Sequence, residues 1–478
     1  MLTQISVALQ TFLGFGASIM IPVIIFIFAL LIGIPIGKAF KSALTIGIGF
    51  TGVFLVVNLL VDNMAPAAQA MVSETGIKLD LIDVGWPSMA AMTWAWIGAV
   101  LVFPIGIVIN AVMLWRGWTK TLNVDLWNYW QFAFIGAAVY FLTGNNLVLG
   151  LIAAGLASIV ALIFADYTQH WCEKYFDLPG ISFPHLTAVG WLPLFMPIIA
   201  GLNSFKWWRK LPVVTPESVQ KRFGIMGLPI VWGLILGILL GVAAKQSLQG
   251  VLSLGLTMAS VMLLLPRMVS VLMEGLIPIS ESARAFLRKR TSKEAQLYIG
   301  MDAALAIGHP SVIATGLLLV PIFILLAFTL PGVRVLPFVD LAVFPFLICL
   351  TVAMNKGDVL RSTITGTLMS IGVLYGSMIL SPLQTALAVS SNIALPDIAA
   401  GSLGITNLDR SQFITVVLTK VFGFFSPNGN MVENLVYLAL FIFLILSLFV
   451  ISPRLAKNMI AREEQDEAEE GIAENAAA

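Results

Sequence analysis

Long apolar runs recur along this chain, in a number that a soluble fold could not bury. Eleven of them are interpreted as crossings of a hydrocarbon layer that is about 30 Å thick. They lie near residues 9–33, 43–61, 94–115, 130–144, 146–165, 225–244, 250–272, 310–330, 338–354, 362–381 and 432–451. The composition agrees, since 59% of the residues are hydrophobic and 11% are charged. The sequence therefore predicts an all-α polytopic membrane protein with about 11 transmembrane helices.

The basic residues predict how these helices are oriented. Lys and Arg concentrate in alternate loops, which the positive-inside rule assigns to the cytoplasm. These loops include the clusters at 206–222 and 284–293, whereas residues 62–93 are acidic and fall outside. The amino terminus is then predicted outside and the carboxyl terminus in the cytoplasm, with 453–478 as a solvated tail. Lys245, Arg334 and Arg410 are exceptions to the rule.

The runs divide into two similar halves. Long loops follow the second run and the seventh run, at 62–93 and 273–297, and tight turns at 144–146 and 355–357 also correspond. Each half then has five spans, and an odd number inserts the second half upside down relative to the first. This is the inverted repeat of many secondary transporters. We therefore expect two inverted five-span repeats.

Each half continues after its fifth span into an apolar stretch that is interrupted by Pro and Gly. These stretches lie near 178–203 and 388–428 and are too broken for one straight helix. Non-helical backbone is tolerated at membrane depth only where protein or a water-filled cavity satisfies it. Both stretches are therefore predicted to be re-entrant hairpins that line a substrate site, with His185 and Thr187 in the first and Asp397 in the second.

Other polar residues near the membrane are candidates because burying them there is costly. Asp302 and His309 are seven residues apart and would share one face of a helix, where they would bind substrate hydroxyls or pair to hold helices together. Gln131 lies among Trp127, Tyr129 and Trp130, which would form either part of a binding site or an interfacial aromatic belt.

Two further candidates lie in less informative surroundings. Thr51 precedes Gly52. Thr51 would either bind the substrate or lie where two helices pack closely together. Glu274 opens the loop at 273–297, where it would contact substrate or a cytosolic partner, or simply face water. Both residues are kept as candidate substrate ligands.

Several classes of function lack their motifs in this sequence. No Walker A sequence, Cys-x-x-Cys pair or His-Glu-x-x-His is present, so no catalytic centre, metal or cofactor is predicted. Cys172 and Cys349 are interpreted as structural. The net charge of +1 provides no basic field that would attract nucleic acid. Transport across the membrane is the function that the pattern favours.

The segment 300–321, with its Gly308-His309-Pro310, and the segment 273–281 resemble a known family. The family that they resemble is the galactitol-specific membrane component (enzyme IIC) of the bacterial phosphoenolpyruvate-dependent sugar phosphotransferase system, in the ascorbate–galactitol superfamily. The resemblance covers residues 5–455. It implies an inner-membrane permease for a sugar alcohol, most simply galactitol. The substrate would be phosphorylated by a separate IIB protein carrying a phosphocysteine, which a separate IIA protein charges.

The same resemblance implies an architecture. Residues 1–61 and 225–272 would form a V-shaped scaffold and dimerisation domain, and residues 62–224 and 273–452 a core that moves like an elevator in a homodimer. Two other functions remain open on the residues alone. One is an ion-coupled secondary transporter of a polyol or sugar, and the other is a membrane enzyme or receptor scaffold without transport.

Overall fold

The computed structural model describes residues 17–31, 33–75, 79–123, 125, 127–216, 228–288, 297–391 and 404–477, and these are mostly helical. The helices are α1 (Ala17–Leu31), α2 (Ile36–Thr75), α3 (Gly85–Trp94), α4 (Ala99–Arg116), α5 (Asn128–Leu142), α6 (Leu147–Phe176), α7 (Leu186–Val189), α8 (Leu192–Leu202), α9 (Lys206–Arg209), α10 (Pro229–Ala243), α11 (Leu248–Arg288), α12 (Pro310–Thr329), α13 (Phe344–Met354), α14 (Val359–Ser390), α15 (Phe413–Lys420), α16 (Met431–Leu446) and α17 (Ser452–Ala477). Short 3-10 segments at Ala303–Leu305, Val339–Val343 and Val421–Phe425 and a π-helical segment at Ser447–Ile451 join some of them.

Within the described residues, five helices are long and apolar enough to cross a membrane. They are Ala99–Arg116, Leu147–Phe176, Pro310–Thr329, Val359–Ser390 and the continuous helix Met431–Gln465, and shorter apolar helices accompany them. The predicted multi-pass helical membrane protein is confirmed at this level. The count of eleven spans and the inverted repeats stay predictions.

The predicted loops at 62–93 and 273–297 are largely wrong. Helix α2 continues to Thr75 and helix α11 to Arg288, so each extends well past the end of its apolar run. The run ends where polar residues begin, but residues such as Ala, Gln and Glu still favour helix. Hydropathy therefore marks the apolar part of a helix and leaves its end undetermined.

The carboxyl-terminal tail also differs from the solvated segment that was predicted. Helix α17 continues the last span, and the side chain of Glu463 is 7% exposed. Its Oε1 accepts a hydrogen bond from the Trp171 indole at 3.1 Å, and its Oε2 lies 3.5 Å from Nε2 of His170. The beginning of the tail therefore packs against α6.

In the described ranges, six short strands correct the prediction of a purely helical chain. They are β1 (Leu81–Asp83), β2 (Thr121–Asn123), β3 (Ile181–Ser182), β4 (Tyr298–Gly300), β5 (Val335–Leu336) and β6 (Gly404–Thr406). They form two parallel three-stranded sheets, ordered β5-β1-β6 and β2-β4-β3. In each sheet the middle strand comes from one half of the chain and both outer strands from the other. Where a helix is broken, this pairing satisfies backbone groups that would otherwise be left without partners.

Helices α1, α2, α10 and α11 pack mainly against one another. Glycines set the contact between α10 and α11, where a Cβ placed on Gly237 would lie 2.7 Å from the Cα of Gly255 and 2.8 Å from the carbonyl oxygen of Leu254. Such small residues allow two helix backbones to approach closely inside a membrane. The contact tolerates no larger side chain without separating the helices.

We therefore expect Gly237→Ala to destabilise the protein by about 1–3 kcal/mol, because the new methyl group meets backbone atoms that cannot move aside. The midpoint of thermal unfolding in detergent measures the effect. Gly37→Ala is the matched control, since a Cβ at Gly37 meets nothing within 4 Å. Equal midpoints for the two variants would contradict the close packing of α10 on α11.

Candidate functional site

A cavity of about 440 Å³ lies where the broken segments of both halves meet. Its apolar walls include the indole rings of Trp86, Trp127 and Trp130 and the ring of Phe346. Six polar side chains also line it, and they are Gln131, His185, Thr187, Ser270, Asp302 and Asp409. Such a volume, with aromatic walls and a few convergent polar groups, is typical of a small-molecule site.

Breaks in the backbone place these polar groups at the cavity. Strand β3 ends at Ser182, and helix α7 begins directly after His185, which is its N-cap residue. From the other half, β6 ends at Thr406 and α15 begins after Gln412, so Asp409 lies in the connecting turn. The N–H of Ile414 donates to the carbonyl oxygen of Gly190 at 3.0 Å, which joins the two broken segments directly.

A fully buried glutamine organises the first of these segments. Oε1 of Gln131 accepts from the backbone N–H of Leu186 at 2.5 Å. Its Nε2 lies 2.7 Å from Nε2 of His185 and donates to Oγ1 of Thr187 at 3.1 Å. The side chain on α5 therefore fixes the turn that carries His185 and Thr187.

A buried arginine connects the two segments. Arg410 is 0% exposed, and its Nη2 donates to Oγ1 of Thr187 at 2.6 Å and to Oδ2 of Asp409 at 2.9 Å. Its Cζ lies 4.5 Å from the centre of the Trp130 ring, in a cation–π arrangement. Three residues that line the cavity are thus held by one guanidinium, which does not itself line the cavity.

Carboxylates hold the remaining walls by accepting backbone hydrogen bonds. Oδ2 of Asp125 accepts from the N–H of Asp302 at 3.2 Å, and Oδ1 of Asp302 accepts from the N–H of Ala304 at 2.9 Å. Oδ1 of Asp340 accepts from the N–H of Trp86 at 2.7 Å, while its Oδ2 accepts from the N–H of Asp409 at 2.9 Å. A carboxylate with several such donors is stabilised where water is excluded.

Of the predicted site residues, the structure brings His185, Thr187, Gln131 and Asp302 together at the cavity. Nε2 of His185 lies 3.4 Å from Oδ1 of Asp302. His309 is not near them as predicted, because 302–309 is not one helix. Asp302 caps a 3-10 turn and His309 caps α12.

The other predicted residues lie elsewhere. The ring of His309 packs against those of Tyr175 and Phe176, with centroids 4.4 and 5.7 Å away. Thr51 and Glu274 are exposed on α2 and α11 and do not line the cavity. Asp397 lies outside the described residues.

The interfacial aromatic belt is the interpretation that the structure excludes. Trp127 is 5% exposed, and Tyr129 and Trp130 are each 1% exposed, so their side chains face the protein interior. Two of these three rings line the cavity. The aromatic cluster around Gln131 therefore belongs to the site.

Sequence reasoning missed Asp409 and Arg410, although a signal was present. Arg410 is one of the three basic residues that did not obey the positive-inside rule, and the structure pairs each of them with a carboxylate. Lys245 Nζ lies 2.6 Å from Oε2 of Glu74, and Arg334 makes a two-pronged contact with Asp80. A basic residue that departs from the predicted positive-inside pattern thus marked an ion pair, and in one case an ion pair beside the cavity.

The cavity combines hydrogen-bonding groups with flat aromatic surfaces. Hydroxyl groups both donate and accept hydrogen bonds, and the C–H faces of a carbon chain suit indole rings. No group of three or more His, Cys, Asp or Glu side chains that could hold a metal ion occurs in the described part of the chain. The arrangement suits a small polyhydroxylated ligand.

Comparisons with known proteins agree with this chemistry. Residues 11–398 match the family model EIIC-GAT, which is described as the PTS system sugar-specific permease component. A putative permease IIC component of Escherichia coli K12 is 36% identical over 80% of this chain and 87% of its own length. The galactitol-specific EIIC component of the PTS system from the same strain is 33% identical over 91% of this chain and 94% of its own length.

Removal of the buried guanidinium tests how far the site depends on it. We expect Arg410→Met to lower the free energy of unfolding by about 3–5 kcal/mol, because it leaves the carboxylate of Asp409 buried without a countercharge. Unfolding in detergent, followed by tryptophan fluorescence, measures the change. Arg334→Met is the control and should cost about 0–1 kcal/mol, because its pair with Asp80 is partly exposed.

The double variant Asp409→Leu/Arg410→Met sharpens this prediction. It removes both charges together, so it should be less destabilised than Arg410→Met alone. If Arg410→Met proves as stable as Arg334→Met, the ion pair with Asp409 does not have the structural role described.

Proposed function

The chain belongs to the EIIC-GAT family of sugar-specific permease components of the phosphotransferase system, and from this we propose that it carries a sugar alcohol, with galactitol the best candidate, across the bacterial inner membrane. The proposal depends above all on one observation. The cavity between the two broken segments offers His185, Thr187, Asp302 and Asp409 beside three indole rings. These groups would bind the hydroxyls and the carbon chain of an open polyol.

The choice of galactitol comes from the relatives. A protein described as galactitol-specific aligns with nearly the whole of this chain at 33% identity. The walls of the cavity agree with an uncharged ligand, because Asp302 and Asp409 line it and Arg410 is already bound to Asp409 and Thr187. An anionic sugar would meet two carboxyl groups and no unpaired cation among the described lining residues.

Separate IIB and IIA proteins would supply the energy by phosphorylating the substrate. Cys172 and Cys349 are each 0% exposed, so neither is accessible as a phosphocysteine. The donor cysteine then resides on IIB. The phosphate adds about 1.5 to 2 negative charges near neutral pH, which keeps the product from returning through a membrane.

An elevator movement of a core domain against a scaffold is the proposed mechanism. The helices of the predicted scaffold, α1, α2, α10 and α11, pack against one another, while both sheets lie in the predicted core. Ser270 of α11 also lines the cavity, which supports a site at the boundary between the proposed scaffold and core. The reciprocal strand order supports two inverted five-span repeats with eleven spans, and hairpins that enter from opposite sides.

A homodimer would form through the scaffold. Ile36, Phe40, Leu44 and Ile48 repeat every four residues on one exposed face of α2, which provides an apolar surface for a second copy. The amino terminus would lie outside and the carboxyl terminus in the cytoplasm.

Uptake of labelled galactitol into vesicles tests the proposed energy source. With purified IIA, IIB and phosphoenolpyruvate, we expect the label to accumulate as a phosphate ester, whereas vesicles without them should accumulate none. The control is the same vesicles with IIB whose phosphorylated Cys is replaced by Ser. Accumulation of unmodified galactitol that follows an ion gradient would favour the secondary transporter instead.

A second experiment tests the site. We expect His185→Ala to abolish measurable galactitol binding, because the ligand loses a hydrogen-bond partner in the wall of the cavity, while the thermal midpoint and the dimer are retained. Isothermal titration in detergent measures binding. His170→Asn is the control, because His170 contacts Glu463 away from the cavity. Normal binding by His185→Ala would show that the ligand lies elsewhere.

A further inference from the structure

The amide of Gln131 has only one orientation that its neighbours allow. The N–H of Leu186 can only donate, and it lies 2.5 Å from the atom assigned as Oε1. With the amide reversed, two donors would face each other at that distance. The Nε2 group must therefore point to the opposite side, toward His185 and Thr187.

This orientation determines which nitrogen of His185 holds the proton. Nε2 of His185 lies 2.7 Å from the donating Nε2 of Gln131, so it must accept the hydrogen bond. A neutral imidazole that accepts at Nε2 carries its proton on Nδ1. Nδ1 is buried and has no hydrogen-bond partner among the described residues. Oδ1 of Asp302 lies farther from Nε2, at 3.4 Å, than the amide nitrogen of Gln131 does, and it accepts from the N–H of Ala304.

The hydroxyl of Thr187 is constrained in the same way. Its oxygen accepts from Nε2 of Gln131 at 3.1 Å and from Nη2 of Arg410 at 2.6 Å. A hydroxyl oxygen has two acceptor sites and one O–H donor, so both acceptor sites are in use. Thr187 donates no hydrogen bond to another described residue. Its proton remains available to a ligand in the cavity that Thr187 lines.

We propose that Gln131 is a positioning residue which, together with Arg410, makes His185 and Thr187 hydrogen-bond donors toward the ligand. Both N–H groups of its amide point to His185 and Thr187 and its Oε1 accepts from Leu186, so Gln131 orients the two residues that donate. The carboxyl groups of Asp302 and Asp409 line the cavity with acceptors. The site therefore has a donor side from the first half of the chain and an acceptor side from the second.

This polarity fits a ligand whose every hydroxyl can accept on one side and donate on the other. A polyol has that property along its whole length. Only the identification of the ligand as a polyol rests on the proposed function. The state of His185 is a property of the free protein and holds whatever the ligand is. The two ideas can therefore fail separately.

Nitrogen-15 NMR of the full chain in detergent tests the proton position directly. The protein has only three histidines, so His170→Asn and His309→Asn assign the spectrum. In the protein without ligand, we expect His185 to show a protonated Nδ1 and an unprotonated Nε2. A proton on Nε2, or on both nitrogens, would overturn the proposal, even if galactitol binds as expected.

The isosteric variant Gln131→Glu tests the cause. One carboxylate oxygen can still accept from Leu186, but the other now faces Nε2 of His185 and requires a proton there, so the tautomer should switch to Nε2–H. Galactitol affinity should then fall by at least about tenfold, because the donors toward the ligand are lost. An unchanged tautomer with wild-type affinity would show that Gln131 does not set the site.

Substitutions of Thr187 test the second donor without a change of charge. Thr187→Ser keeps the O–H and should retain affinity within about threefold, whereas Thr187→Val removes it and should lose at least about tenfold. Thr329→Val is the matched control, because the Thr329 hydroxyl donates to Leu325 in α12, away from the cavity. Equal affinities for the Ser and Val variants at 187 would overturn the donor role. Absence of galactitol binding by the unaltered protein would instead count against the proposed function.

Discussion

Backbone N–H and C=O groups that leave a helix inside a membrane have no water to bind, and leaving them unpaired is costly. The chain nevertheless breaks its helices on both sides of the cavity, since a turn can direct several side chains toward a ligand. Two short parallel sheets and buried carboxylates satisfy the groups that these breaks release. Asp83 alone accepts from the N–H groups of Gly85, Phe338 and Asp340. The cavity thus depends on backbone hydrogen bonds that cross between the two halves of the chain.

The side chains that line the cavity are held by a second layer that is itself polar. Arg410 and Asp340 are fully buried behind the wall and bonded to residues that line it, and Gln131, which itself lines the cavity, is fully buried and bonded to His185, Thr187 and Leu186. Burial of Arg410 would be prohibitive without the Asp409 carboxylate and the face of Trp130. These buried neighbours fix the direction of the hydrogen bonds as well as the position of the side chains. A hydroxyl or imidazole whose acceptor sites are occupied can only donate. The hydrogen bonding of His185 and Thr187 toward the cavity is therefore set by their buried polar neighbours.

Much of the fold follows from hydropathy, because a long apolar helix is a local property of the sequence. The Pro and Gly interruptions also drew attention to the segment that carries His185 and Thr187, and both residues line the cavity. The strands could not be predicted because each has only two or three residues, which is too short to show an alternating hydrophobic pattern. Asp409 and Arg410 escaped because the contact between Arg410 and Thr187 spans 223 positions, and no local pattern records it. His309 was placed wrongly because helical spacing was assumed across a segment that turns.

The pairing of strands from the two halves of the chain constrains folding during synthesis as well as the final structure. Strand β1, near residue 82, has both of its neighbours in the second half, and its pairing with β6 waits until Thr406 has been synthesised. At about 5–20 residues per second, a ribosome needs roughly 16–65 s to cover that interval. Neither edge of β1 has its partner until Leu336 of β5 has been made, and the edge that pairs with β6 waits longest. Chaperones or the insertion machinery that shelter such edges should therefore matter more for this protein than for a bundle of independent helices.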